Sequence, residues 1–310
     1  MPTSRAAVRG LAVFADGAQA AFAAGAVAEL ARAGMRWRRG AGAGLGAQIA
    51  ALALLGEADE AERRWKREAE LGCPLFESRL AAVQRRLGEE PGVLALADGW
   101  RLEGWLDPAG LDEHLAPEAA DLPRRLATKN ASCVVAVANL GDGGLEWTRL
   151  EGAASAAAAV LRAAASFPSG WGAARSGSDT GGTVRWGGVG LLAALGPPWS
   201  NALAPWDVVC GFPVPAVARP ALGSSLLELA QRRDECLAAA TLGRWNTGED
   251  APRLRVVAPA PAAYASFSAR DTADLGVEYP LPFERNSELL SAILRFGSFA
   301  AARALGAGAS

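Results

Sequence analysis

The chain has a single histidine, His114, and only four cysteines, Cys73, Cys133, Cys210 and Cys236, none in CxxC spacing. Neither a zinc site nor a disulfide framework is suggested. This suits a reducing compartment, so the expectation is a cytoplasmic protein with no metal or cofactor. A His-based catalytic triad would have to use His114. That residue sits in "LDEHLAPE", a charged helical stretch, and reads as a solvated helix histidine. There is no basic excess: 31 Lys and Arg stand against 33 Asp and Glu. The formal net charge of -2 offers no field to attract nucleic acid. No run of ~20 uncharged apolar residues exists, so no transmembrane segment is expected. Arg5 and Arg9 precede an apolar run, the order found in signal peptides, but Asp16, Gly17 and Gly25 break it up. The nucleotide-binding patterns G-x-G-x-x-G and G-x-x-x-x-G-K-[ST] are both missing, and so is G-x-S-x-G.

What is present is an ordinary globular composition, 51% hydrophobic and 21% charged, able to bury a core. Ala, Gly and Arg dominate, as GC-rich bacterial coding would give. Leu11–Leu55 reads as strand, glycine loop, helix, strand, glycine loop, helix. The spacing predicts strands at Arg9–Phe14 and Met35–Ala41, with helices at Ala20–Ala33 and Gln48–Leu55. Elements apolar on both faces mark strands buried between helix layers. Glu57–Glu70 is a charged amphipathic helix with Ala58, Ala61, Trp65 and Ala69 inward. Asp59–Arg63, Glu60–Arg64 and Glu62–Lys66 are its i,i+4 pairs.

Further helices are expected at Pro74–Leu87, from near Pro108, at Ala153–Ala165, Ser224–Ala239 and Glu288–Leu305, the last started near Asn286 or Ser287. Val93–Trp105 is a mixed apolar segment. Strands are expected at Cys133–Ala138, Asp207–Cys210 and Leu254–Ala258, and Ser169–Gly190 reads as a long loop. The alternation argues for one α/β domain over residues 9–310 behind a tail at residues 1–8.

Two loops have the layout of chemistry. "GAGLGA" at Gly42–Ala47 lies between a strand and a helix, the context of a nucleophile elbow. The elbow's central position falls on Gly44, flanked by Gly42 and Gly46, and glycine has no nucleophile. "FADGAQAAF" follows the first strand, where backbone N–H groups at a helix start can cradle an oxyanion. Here Ala15, Asp16, Gly17, Ala18 and Gln19 supply one permissive glycine and an anion where an anion would bind.

The order of these features resembles the patatin-like phospholipase family. "LAVFADGAQAAFAAGAVAELARAG" is similar to that family's oxyanion loop and helix, and "GAGLGAQIAALALLG" to its elbow and helix. "GWLDPAGLDEHL", "VLRAAASFP", "VRWGGVGLLAALGPPW" and "WDVVCGFPVP" follow in the family's order, so the similarity runs from Arg9 to Phe212. The resemblance implies a three-layer α/β/α domain with a mostly parallel sheet. It also implies that the nucleophile position is Gly44, the dyad acid position Trp186 and the oxyanion-loop Arg position Gln19, so that every residue doing chemistry has changed. A Ser–Asp dyad needs both its nucleophile and its base.

Other candidates have plainer readings. Asp142-Gly143-Gly144 is a hairpin turn, and Asp179 falls in a Gly/Ser-rich loop with Ser176 and Ser178. "RWRR" at Arg36–Arg39 is a strand start with solvated charges. Four of the ten tryptophans, Trp171, Trp186, Trp199 and Trp206, crowd the region of the missing acid. They either fill an abandoned cavity or line a ligand pocket. The expectation is a catalytically inactive protein that binds a protein partner or itself, with a lipid or acyl ligand also open. A hydrolase with a relocated nucleophile and a small-ligand binding module are the alternatives.

Overall fold

The computed structural model describes residues 9–77, 106–119, 121–139, 141–166, 171, 174–176, 183–199, 204–214, 226–245, 254–260 and 285–306. The expected segment Val93–Trp105, most of the expected helix Pro74–Leu87, and Asp179 and Ser178 lie outside the described residues.

The elements in chain order are β1 (Arg9–Ala15), α1 (Gln19–Arg32), β2 (Trp37–Gly44), α2 (Gly46–Leu55) and α3 (Ala58–Glu70). A short 3-10 turn at Pro74–Phe76 follows, then α4 (Pro108–Ala119), α5 (Leu122–Thr128), β3 (Ser132–Asn139), β4 (Leu145–Arg149) and α6 (Ala154–Ala165). The rest are β5 (Ala174–Ser176), β6 (Thr183–Trp186), a 3-10 helix at Val189–Ala193, β7 (Trp206–Cys210), α7 (Leu226–Trp245), β8 (Leu254–Val257) and α8 (Ser287–Gly306).

The strands form one sheet in the order β5-β6-β3-β2-β1-β7-β8, with β4 added to β3. Its centre, β3-β2-β1-β7-β8, is parallel, and the β4 and β5-β6 additions are antiparallel. The protein is therefore a mixed α/β domain around a mostly parallel sheet. Strand alternation decides what each face buries. In β1, Leu11, Val13 and Ala15 face the layer that holds α1, α2, α3, α6 and α8, while Ala12 and Phe14 face α7 and the 3-10 helix. The chain runs β1-β2-β3 in one direction and then returns to place β7 on the other side of β1. The carboxyl ends of β1 and β7 thus flank the point where strand order reverses, where open α/β sheets place their sites.

Helix α8 lies against α1 at unusually short range. A Cβ on Gly25 would overlap Leu294 O, and one on Gly297 would overlap Phe22 O. The contact is sealed by Ser298 Oγ donating to Gly25 O at 3.2 Å and by the Phe22–Phe296 ring pair. By length and composition α8 is apolar enough to cross a membrane, and it is the one such helix among the described residues. Asn286 starts it as expected, its Oδ1 accepting from Leu289 N–H at 3.0 Å. Asn286→Ala should cost about 1 kcal/mol, read as a lower denaturant midpoint with unchanged slope.

Several expectations need correction. The second strand runs on through the glycines to Gly44 instead of stopping at Ala41, because β1 and β3 hydrogen-bond to β2 on both sides and override the weak strand propensity of glycine. The expected long loop at Ser169–Gly190 holds β5 and β6, whose antiparallel pairing the Gly and Ser around them concealed. Helix α7 continues past Ala239 to Trp245, because Ala238, Ala239 and Leu242 cover the sheet. In α3 the expected pairs Glu60–Arg64 and Glu62–Lys66 are present, whereas Asp59 turns to Arg32. His114 is buried, not solvated: Leu111, His114 and Leu115 form the inward stripe of α4, and Asp112 and Glu113 take the water. At the "RWRR" stretch Trp37 is buried, its indole N–H donating to Asp207 at 2.8 Å, and Arg39 lies over the Trp206 ring.

Candidate functional site

The two glycine loops singled out in the sequence meet at the carboxyl end of the parallel strands. Ala15 and Gly44 are opposite each other in the β1–β2 ladder, so the loop after β1 and the turn after β2 emerge side by side. Gly44 has φ +65°, a left-handed conformation that L side chains rarely adopt, and Leu45 immediately begins the approach to α2. Gly44 is therefore a left-handed turn between β2 and α2. Its flanks are tight: a Cβ on Gly42 would overlap Ala47 Cα, and one on Gly46 would overlap Val13 O.

The space that a side chain at Gly44 would occupy is filled. A Cβ there would overlap Asp16 Oδ1 and Ala15 O. Asp16 is 5% exposed. Its Oδ2 accepts from Val189 N–H at 2.8 Å, at the start of the 3-10 helix that follows Trp186-Gly187-Gly188. Asp16 Oδ1 has no hydrogen-bond partner. One carboxyl thus touches three segments: its own loop after β1, the turn at Gly44 and the start of the 3-10 helix at Val189. Burial pushes the Asp16 carboxyl up to about 7; the Val189 hydrogen bond pulls the other way, and the Asp234 carboxylate adds to the rise.

Helix α7 closes this end of the sheet with two acids. Gln19 Nε2 donates to Glu235 Oε1 at 2.5 Å in a buried pair, leaving Gln19 Oε1 without a partner. The Asp234 carboxylate lies so close to Gly190 that a Cβ there would sit 2.6 Å from its Cγ. Arg233, exposed, pairs with Asp234 at 2.8 Å. An oxyanion hole needs positive potential where negative charge develops; here the side chains that α7 brings to this end are the acids Asp234 and Glu235. Sequence reading missed Val189, Asp234 and Glu235. Glu235 was legible only as an acid in an otherwise mixed helix, and a backbone N–H leaves no mark in a sequence.

Other candidates fall elsewhere. Trp186 ends β6 opposite Ala138, its indole N–H buried and unpartnered. The four tryptophans do not line one pocket. Trp199 stacks near Trp206 at 5.3 Å and near Trp245 at 5.4 Å, and Trp206 lies under Gly10, at the far end of β1 from Ala15. Trp171 is on the opposite face against Phe76. Chain proximity suggested a cluster that the sheet divides. Asp142 is an exposed hairpin residue whose Oδ1 accepts from Gly144 N–H. Burial pushes up the Cys73, Cys133 and Cys210 thiols, which keeps them protonated and unreactive.

No family model and no curated protein matches this chain. Among solved structures it is similar to VipD from Legionella pneumophila, with 12% identity and a TM-score of 0.46 over 97% of this chain and 67% of that one. It is also similar to the complex of full-length SpcU with full-length ExoU from the type III secretion system of Pseudomonas aeruginosa. There the identity is 16% and the TM-score 0.29, over 78% of this chain and 53% of that one.

Proposed function

We propose that this protein is a degenerate, patatin-like relative that has lost serine-hydrolase chemistry and acts as a binding or assembly component. The observation that carries this reading is the Asp16 carboxyl lying where a side chain at Gly44 would go. The elbow position has neither a hydroxyl nor room for one, and the dyad acid position is an indole at Trp186. A nucleophile deprived of its base, or a base deprived of its nucleophile, loses several orders of magnitude in rate. The acids at Asp234 and Glu235 would further oppose a developing oxyanion. In this reading residues 9–310 form one domain, since α8 near the chain end is seated on α1 near its start. The partner is a protein or a second copy, and the setting is the bacterial cytoplasm.

The purified protein tested with an alkyl fluorophosphonate probe and short-chain p-nitrophenyl esters should show no covalent labelling and no turnover above buffer. Saturating label on one serine would overturn the reading in favour of a relocated nucleophile.

A further inference from the structure

Another concavity lies between α3, the 3-10 turn and α4. A cavity of about 340 Å³ opens there, bordered by Arg63, Arg64 and Arg67, by His114, and by an apolar wall of Leu71, Pro74 and Leu75. That volume is in the range of small-molecule sites. We propose that this cavity binds a small monocarboxylate carrying a short apolar chain, with Arg67 and His114 Nε2 on the carboxylate.

The imidazole is held as a ligand-binding group would be. Its side chain is 2% exposed, and Nδ1 is 3.0 Å from Glu68 Oε1. The ring meets Trp65 edge to face at 5.7 Å. The His114 carbonyl accepts from Gln48 Nε2 at 3.0 Å and from an Arg64 guanidinium N–H at 3.1 Å, which fixes the backbone as well. With both anchors in place, Nε2 makes no hydrogen bond. Nδ1 is taken by Glu68, which leaves Nε2 for the guest. A doubly protonated imidazole is a donor at both nitrogens, so the guest carboxylate brings its anion to Nε2 as Glu68 does to Nδ1.

Charge selects the sign and number of charges on the guest. Glu60 is engaged by Arg63 at 2.6 Å and by Arg64 at 3.0 Å, and Glu68 by His114. The Arg67 guanidinium has no ion-pair or hydrogen-bond partner among the described residues. Its planar fork suits a carboxylate. Glu113, exposed and also lining the cavity, disfavours a second negative charge and so favours a monoanion. Leu71 is 60% exposed beside the cavity, an apolar surface for the guest's chain to cover.

The test uses the chain's single histidine, whose ring C2–H gives one assignable NMR resonance. Hexanoate should move that resonance saturably, acetate should bind at least about tenfold more weakly for want of the apolar contact, and hexylammonium should leave it in place. Arg67→Ala, at an exposed helix position, should weaken hexanoate about tenfold or more while the fold is kept. The proposal is overturned if hexanoate causes no shift, if hexylammonium shifts the resonance equally, or if Arg67→Ala binds as well as the unaltered chain. Acetate binding as tightly as hexanoate would remove the apolar half of the proposal. The readout is independent of ester hydrolysis, so it stands or falls separately from the inactive-hydrolase reading.

Discussion

Asp16→Asn should stabilise the protein strongly at pH 8 and hardly at all at pH 4. Its carboxyl rises from an ordinary value of 3.8 to about 7 in the fold. Between those pH values the unfolded chain has released its proton and the folded chain still holds it, so stability falls as pH rises. Above about 7 both states are ionised and the penalty is complete, on the order of 4 kcal/mol. Asparagine matches the shape, lets an amide oxygen keep the Val189 N–H, and titrates nowhere. The difference between variant and parent, measured by denaturant unfolding, should therefore open between pH 4 and 7 and then stay level. A difference independent of pH would show that this carboxyl is not buried against Gly44. The parent accepts this cost because the alternative at the same place is an unfilled gap beside a strained turn.

The sheet and its helices were largely legible in the sequence because apolar periodicity reports burial directly. Leu11, Val13 and Ala15 alternate with Ala12 and Phe14, and the ladder of β1 sends them to opposite faces. The β3–β4 hairpin was legible for a different reason: Asp142-Gly143 carries a turn whose side-chain bond to Gly144 N–H is local. Long-range choices left no such trace. Helix α7 needs Glu235 to meet Gln19, 216 positions away in the chain. His114 reads as a solvated residue among acids because the pattern i, i+3, i+4 around it becomes visible only once Leu111 and Leu115 are known to face inward. The elbow was readable as a glycine turn, but not what occupies it. Asp16 read as an unfavourable anion in a loop; the fold makes it the filling of the Gly44 site and a link to Val189. The opening stretch remains the organising element, and its chemistry is that of a closed joint.

Gly44→Ser should be among the most damaging single substitutions, about 3–4 kcal/mol, from left-handed strain plus overlap with Asp16 and Ala15 O. Asp16→Gly in the same chain should return part of that loss, because it removes the oxygen that a serine Cβ would overlap. The double variant should be more stable than the two single effects predict by about 1–2 kcal/mol, a coupling that a mutant cycle measures directly. Recovery should be incomplete, since Ala15 O and the positive φ remain. Additive losses would mean that Asp16 does not occupy the serine's place. Making room is also not the same as restoring chemistry. Gly44→Ser with Trp186→Asp, or with Asp16→Gly, should still turn over little ester, because Asp234 and Glu235 keep the surroundings negative where an oxyanion would form. Substantial turnover by either double variant would mean that the loop after β1 had stayed competent to bind one, and that the missing hydroxyl alone separates this protein from a hydrolase.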